Sequence, residues 1–154
     1  MVNPIPEGYP RVTPYICVDG AAAAIDFYTR VFGATERTRM PAPGGKIGHA
    51  EITLGDSLIM LTDEAPEMGV QSPKAYGGSP VSLHLYVEDV DDVFTRAVEA
   101  GGKAVTEPQD HFYGDRSGTL EDPFGHIWYV STRIEDVAPE EMARRAEQAS
   151  QGSA

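Results

Sequence analysis

The stretch Glu121-Asp122-Pro123-Phe124-Gly125-His126-Ile127-Trp128 decides how this chain is read. Pro123 sets its φ at about −65°, and Gly125 can take the positive φ that closes a tight turn. The residues that follow, Ile127 to Thr132, are β-branched and aromatic, so the turn launches a strand. A last strand entered through a rigid turn raises the question of which strands precede it.

Reading outward from that turn, Arg116–Glu121 and Lys103–Thr106 are predicted strands, with Gly101-Gly102 ending a helix over Val90–Ala100. That helix gathers Val90, Val93, Phe94, Ala97 and Val98 on one face, and Val81–Val87 before it reads as a strand. The same order occurs earlier in the chain. Arg11–Val18 is a predicted strand, and Ala21–Phe32 a helix with Ala24, Ile25, Tyr28, Val31 and Phe32 on one face and Gly33 just past its end. Glu36–Met40, Lys46–Leu54 and Ser57–Thr62 are strands, separated by the turn Pro41–Gly45 and the hairpin signal Gly55-Asp56.

Each half therefore reads β-α-β-β-β. An offset of 69 positions carries Val18 onto Val87, Asp19 onto Glu88, Ile25 onto Phe94 and Gly33 onto Gly102. Thr29 and Thr95 fall three positions out of step, so element order carries the repeat better than residue identity does. The expected class is α+β: two tandem βαβββ modules with joined, curved mixed sheets forming a cavity and helices on the outer face. The expected division is an N-terminal arm (1–10), a first module (11–63), a linker loop (64–80), a second module (81–137) and a C-terminal helix with a frayed tail (138–154). The helix is expected over Pro139–Gln148, fraying from Ser150 to Ala154. The segment Asp63–Pro80 lacks a sustained period and is expected to cover a cavity mouth.

Composition narrows the function. A formal net charge of −12 argues against nucleic acid or an anionic membrane as partner. No apolar run approaches the ~18 residues of a membrane span, and no basic, then apolar leader opens the chain, so a cytoplasmic location is the expectation. The single cysteine, Cys17, excludes an intramolecular disulfide and a multi-cysteine zinc site.

Side chains alternate across a strand, which sorts each one into two faces. Ile16, Val18, Ala50, Ile52, Leu54, Ile59, Leu61, Leu83, Leu85, Trp128 and Val130 form apolar faces suited to the two helices. The opposite faces carry Tyr15, Cys17, His49, Glu51, Met60, His84, Tyr86 and Tyr129. Apolar walls with a few polar anchors of this kind suit a ligand cavity better than a solvated surface. Glu51 with His84 is a candidate general acid–base pair. Cys17 reads as an inert, buried thiol, although a neighbouring histidine would be needed to activate it. His49, Glu51 and His84, with His126 nearby in the turn, form a conceivable but weaker metal group; lone histidines on strands more often serve as hydrogen-bonding groups.

Several motifs together resemble the vicinal-oxygen-chelate superfamily of glyoxalases, bleomycin-resistance proteins and extradiol dioxygenases, in its PhnB-like, glyoxalase-like branch. They are Thr13-Pro14-Tyr15-Ile16-Cys17-Val18, Ala24-Ile25-Asp26-Phe27-Tyr28, Gly48-His49-Ala50-Glu51-Ile52, Ser82-Leu83-His84-Leu85-Tyr86-Val87, Gly114-Asp115-Arg116 and Asp122-Pro123-Phe124-Gly125-His126. The resemblance implies four ligands to a divalent ion, and by strand position these fall on Thr13, Met60, Ser82 and Tyr129. Two hydroxyls, a thioether and a phenol depart from the His and carboxylate set that such ions take. The expectation is thus a metal-free protein binding a small organic molecule through Thr13, Tyr15, Met60, Ser82, His84, Tyr86 and Tyr129, for sequestration or sensing. The alternative is an enzyme, a lyase, isomerase or dioxygenase, using one divalent metal ion. The resemblance also implies a homodimer.

Overall fold

The computed structural model describes residues 1–152. It contains eight strands and three α-helices in two compact units: Met1–Ser79 with Pro123–Gly125, and Pro80–Asp122 with His126 onward. The C-terminal helix expected to end at Gln148 and fray from Ser150 runs on through Ser150 to Gln151; Ser153 and Ala154, also expected to fray, lie outside the described residues.

In the first unit, β1 (Tyr15–Val18), α1 (Ala21–Phe32), β2 (Thr35–Pro41), β3 (Ile47–Leu54) and β4 (Ser57–Asp63) follow one another. Their sheet has the order β1-β4-β3-β2, with β1 parallel to β4 and the other pairs antiparallel. Helix α1 lies on this sheet and buries Ala24, Ile25, Tyr28 and Val31 against Ile16, Val18, Ala50, Ile52 and Leu61. It ends as its sequence dictates: Gly33 adopts φ +73°, and the Gly33 and Ala34 amides donate to the carbonyls of Thr29 and Tyr28. Phe27, off the predicted face, is also buried, because Phe124 belongs to this unit and meets Phe27 and Tyr28 edge-on at 6.3 and 6.2 Å between ring centres.

The second unit repeats the plan with β5 (Ser82–Tyr86), α2 (Val90–Glu99), β6 (Lys103–Asp110), β7 (Asp115–Glu121) and β8 (Ile127–Arg133), in sheet order β5-β8-β7-β6 and with β5 parallel to β8. Helix α2 buries Val90, Val93, Phe94 and Ala97, while Val98 stays 41% exposed, one position beyond the covered stripe. The turn before β8 closes as read, with Gly125 at φ +94° and the Asp122 amide donating to the His126 carbonyl at 2.8 Å. A third helix, α3 (Pro139–Gln151), is tied by Arg145, whose guanidinium bonds Glu135, Glu141 and the Phe112 carbonyl.

Most element boundaries shift by a residue or so from the sequence reading, and the larger differences have physical causes. Strand β1 starts at Tyr15, since Pro14 has no N–H to give a ladder; its carbonyl still accepts the Met60 amide. Strand β6 runs on to Asp110 instead of stopping at Thr106. The register slips between Thr106 and Gln109, which accommodates Pro108 on an edge strand. The segment 64–80 carries two short 3₁₀ turns, Pro66–Met68 and Pro73–Tyr76, and an Ala65–Val70 bridge.

The units also share a helix-starting device. Asp63, at the end of β4, accepts the amides of Gly20 and Ala21 through Oδ1 and that of Ile47 through Oδ2. At the same repeat position, Thr132 Oγ1 accepts the Val90 amide and donates to the Val87 carbonyl. The last strand of each module thus holds the start of that module's own helix.

Candidate functional site

A cavity of about 750 Å³ opens on the mixed face of the first sheet. Tyr15 and Cys17 of β1, Gly48 of β3 and Thr62 of β4 form its floor. Ala42, Pro43, Ile47, Ala65, Met68 and Val70 supply most of its apolar wall, and Lys46, Glu64 and Glu67 its charges. The segment after β4 therefore contributes directly to the wall, in keeping with the covering role its irregular sequence suggested. Most polar groups here are already engaged. Lys46 Nζ donates to the Glu64 carbonyl, the Ser72 hydroxyl donates to Glu64 Oε1, Thr62 Oγ1 is bonded to the Gly48 and Asp63 carbonyls, and the Asp63 carboxylate holds three amides. Such a lining suits an apolar or aromatic molecule that needs few hydrogen bonds.

Beside the cavity lies a chain of ionisable groups. The Tyr15 hydroxyl is 2.8 Å from His49 Nδ1, and His49 Nε2 is 2.9 Å from Glu51 Oε2. The Tyr9 hydroxyl donates to Glu51 Oε1 at 2.9 Å, Arg37 Nε lies 3.9 Å from the same oxygen, and the Arg37 guanidinium sits 4.6 Å above the Tyr9 ring. Glu51 is buried, and its carboxyl is held below the usual range chiefly by the His49 hydrogen bond, with Tyr9 and Arg37 adding to it against the opposing effect of burial. Tyr9 is pushed up, first by its bond to Glu51, and Tyr15 is pushed up, first by burial. Strand register explains the grouping: Tyr15 and Glu51 both lie opposite Met60, and His49 shares the face of Glu51 two residues away.

Of the expected ligand-binding residues, Tyr15 lines this cavity and Met60 is its half-buried neighbour on the sheet; Thr13 precedes β1. Ser82, His84, Tyr86 and Tyr129 belong to the second unit. There His84 stacks on Tyr86 at 4.9 Å and on Tyr129 at 6.2 Å between ring centres, forming an exposed aromatic row, and the Tyr86 hydroxyl donates to buried Asp115 at 2.7 Å. Of the candidate acid–base pair, Glu51 is hydrogen-bonded to His49 within its own unit, a pairing that alternation along β3 makes visible, and His84 belongs to the second unit. Lys46 was missed as a wall residue, and Glu64, Ala65, Glu67, Met68 and Val70 were expected only as part of a loop over a cavity mouth, because nothing in their local sequence marks a wall.

The four positions that the family resemblance assigns to a divalent ion remain Thr13, Met60, Ser82 and Tyr129, a donor set that does not fit such an ion. Among the described residues, no group of three or more His, Cys, Asp and Glu is placed to hold a metal.

Burial, then the carboxylates of Glu64, Asp63 and Asp19, push the Cys17 thiol up to about 11. At pH 8 the thiolate fraction is then about a hundredfold below that of an unperturbed cysteine. Iodoacetamide should therefore label Cys17 about a hundredfold more slowly in the folded protein than in urea. Equal rates by mass spectrometry would show an unperturbed thiol, and a faster rate in the folded protein an activated one.

The profile of the Glyoxalase/Bleomycin resistance protein/Dioxygenase superfamily matches residues 9–130, and the chain belongs to that superfamily. An uncharacterized protein of Mycobacterium tuberculosis is 43% identical over 146 residues, covering 93% of this chain and 85% of the relative. A putative glyoxylase, CFP32, of Mycobacterium bovis is 29% identical over 117 residues, covering 75% of this chain and 41% of that longer protein. Among solved structures, TioX from Micromonospora sp. ML1 matches with a TM-score of 0.62 at 26% identity, over 84% of this chain and 100% of that one. A PhnB protein from Bacillus cereus, a putative 3-demethylubiquinone-9 3-methyltransferase, matches with a TM-score of 0.64 at 20% identity, over 80% of this chain and 99% of its own, which shows a shared fold. No helix among the described residues is long and apolar enough to cross a membrane.

Proposed function

We propose that this protein binds a neutral, largely apolar small organic molecule in the cavity of its first unit, without a divalent ion, and acts by sequestering or sensing it. The cavity carries the reading: about 750 Å³, mostly apolar in its walls, with polar groups that are largely bonded to one another. That volume lies within the range of small-molecule sites. The mismatched donor set at Thr13, Met60, Ser82 and Tyr129 supports the metal-free part of the reading. In the second unit the aromatic row His84, Tyr86 and Tyr129 offers a further surface on which a planar ring can stack. By family resemblance the assembly is a homodimer.

Native mass spectrometry of freshly purified, chelator-free protein, joined to elemental analysis, tests this reading. The expected result is a dimer mass with an organic adduct and no stoichiometric metal. Thr62→Trp, which fills the cavity floor, should lose the adduct while keeping the circular dichroism spectrum. Stoichiometric zinc, nickel, manganese or iron would overturn the metal-free reading and favour a metal-dependent lyase, isomerase or dioxygenase. An adduct that survives Thr62→Trp would overturn the choice of cavity.

A further inference from the structure

We propose that Tyr15, His49 and Glu51 form a proton relay whose Tyr15 end serves the cavity, and that it accepts the proton of a neutral weak acid bound there. The inference rests on the cavity reading and deepens it by naming the chemistry of the ligand.

The direction of the relay follows from donor and acceptor capacity. An ionised carboxylate only accepts, so the His49 nitrogen 2.9 Å from Glu51 Oε2 carries the hydrogen, and this is Nε2. In the neutral ring Nδ1 is then the acceptor, and the hydroxyl of Tyr15, 2.8 Å away, donates to it. Glu51 is fixed from its other side by the Tyr9 hydroxyl and by Arg37, so the carboxylate that orients His49 is itself held in place. The link from His49 to Tyr15 is not needed to satisfy Glu51. It extends the chain of hydrogen bonds to a residue that lines the cavity and is half exposed.

The step balances with one proton. The acidic O–H or N–H bond of the ligand breaks, and its proton binds the Tyr15 hydroxyl oxygen. The original Tyr15 proton passes to His49 Nδ1. The ligand remains as an anion hydrogen-bonded to Tyr15, and the imidazolium is stabilised by Glu51. No oxidant, metal or other reactant takes part. The lining favours a ligand with one acidic group on a largely apolar body: the apolar wall takes the body, and the acidic group meets Tyr15, with Lys46 as the positive charge in the wall.

The test uses 4-nitrophenol, whose spectrum reports its own ionisation, and 4-nitroanisole, the same ring without the acidic proton. Both are titrated at a pH about one unit below the free phenol's pKa into wild type, His49→Gln and Tyr15→Phe. Wild type should bind the phenol with the phenolate spectrum. In His49→Gln and Tyr15→Phe the phenol should be bound as the neutral species and the ratio of phenol to nitroanisole affinity should fall about tenfold, with an unchanged circular dichroism spectrum showing that the variants fold. A neutral spectrum on wild type, or a phenolate spectrum retained in His49→Gln, would overturn the relay and leave the cavity standing. If neither probe binds wild type, the cavity reading fails and the relay with it. Nitrogen NMR of unliganded wild type requires no variant: His49 should carry its hydrogen on Nε2, and an Nδ1–H tautomer would overturn the relay.

Discussion

Asp63→Ala should lower the unfolding free energy by about 4 kcal/mol, and Asp63→Asn by about 2 kcal/mol. The size of the effect follows from what the carboxylate holds. Helix α1 begins at Gly20, which has φ +105° and no side chain to cap the first turn, and that turn holds no acidic residue. Its Gly20 and Ala21 amides lean on Asp63 Oδ1 at 2.9 and 2.8 Å, while Oδ2 takes the Ile47 amide at 2.8 Å and so fixes the entry of β3. Alanine leaves three donors without their acceptor, each bond being charge-assisted and worth roughly 1.5–3 kcal/mol, less whatever water restores at the cavity edge. Asparagine keeps Oδ1 for the helix but turns an N–H toward Ile47, so only the strand contact is lost. In the second unit, Thr132→Val removes a single acceptor from Val90 and should cost only about 1 kcal/mol. Urea unfolding followed by circular dichroism gives the ranking. A loss below about 1 kcal/mol for Asp63→Ala would show that the three amides find other partners.

Where local chemistry decides an element, its bounds were legible in the sequence. Helix α1 was readable as Ala21–Phe32 because its apolar period stops at a glycine able to take a left-handed conformation, and the Gly55-Asp56 hairpin likewise advertised itself. Errors arose where distant residues decide. Phe27 reads as an exposed position of α1 until Phe124, nearly a hundred positions later, lies against it. The strand read as ending at Thr106 runs on to Asp110, because an edge strand with a slipped register tolerates Pro108. Asp63 read as the first residue of a loop, since an aspartate after a strand ordinarily faces water; its three amide partners lie 16 to 43 positions away.

The candidate site divides in the same way. Alternation along β3 puts His49 and Glu51 on one face from sequence alone, and their hydrogen bond needs no long-range information. Tyr15 joins them only through the β1–β4 and β3–β4 registers, which meet at Met60. Pairing Glu51 with His84 instead required a guess across two units, for which no local signal exists. The segment Asp63–Pro80 reads as a cover for a cavity mouth, but which of its residues line the wall, Glu64, Ala65, Glu67, Met68 and Val70, is not legible, because they are ordinary loop chemistry that becomes a wall only by its position.

Asp122→Ala, in the turn that leads into β8, should cost about 3 kcal/mol and shift tryptophan emission to longer wavelength. Asp122 is buried at 3% exposure, and its two oxygens are divided between the turn and the core. Oδ1 accepts the His126 amide at 3.0 Å, which closes the turn from inside, and Oδ2 accepts Trp128 Nε1 at 2.8 Å. The carboxylate thereby fixes the turn and the first core residue of β8 with one side chain, and Trp128 is 1% exposed. Alanine leaves a buried indole N–H and a buried amide to be satisfied by water that must enter the core, or not at all. Because Trp128 is the single tryptophan, its emission reads this environment directly. Asp122→Asn keeps an oxygen for one donor and presents an N–H to the other, so it should fall between alanine and wild type. Trp128→Phe removes the indole donor along with the ring's bulk. In a double-mutant cycle with Asp122→Ala, the two losses should therefore be less than additive by about 1 kcal/mol. Additive losses with an unshifted emission maximum would mean that the aspartate serves the turn alone.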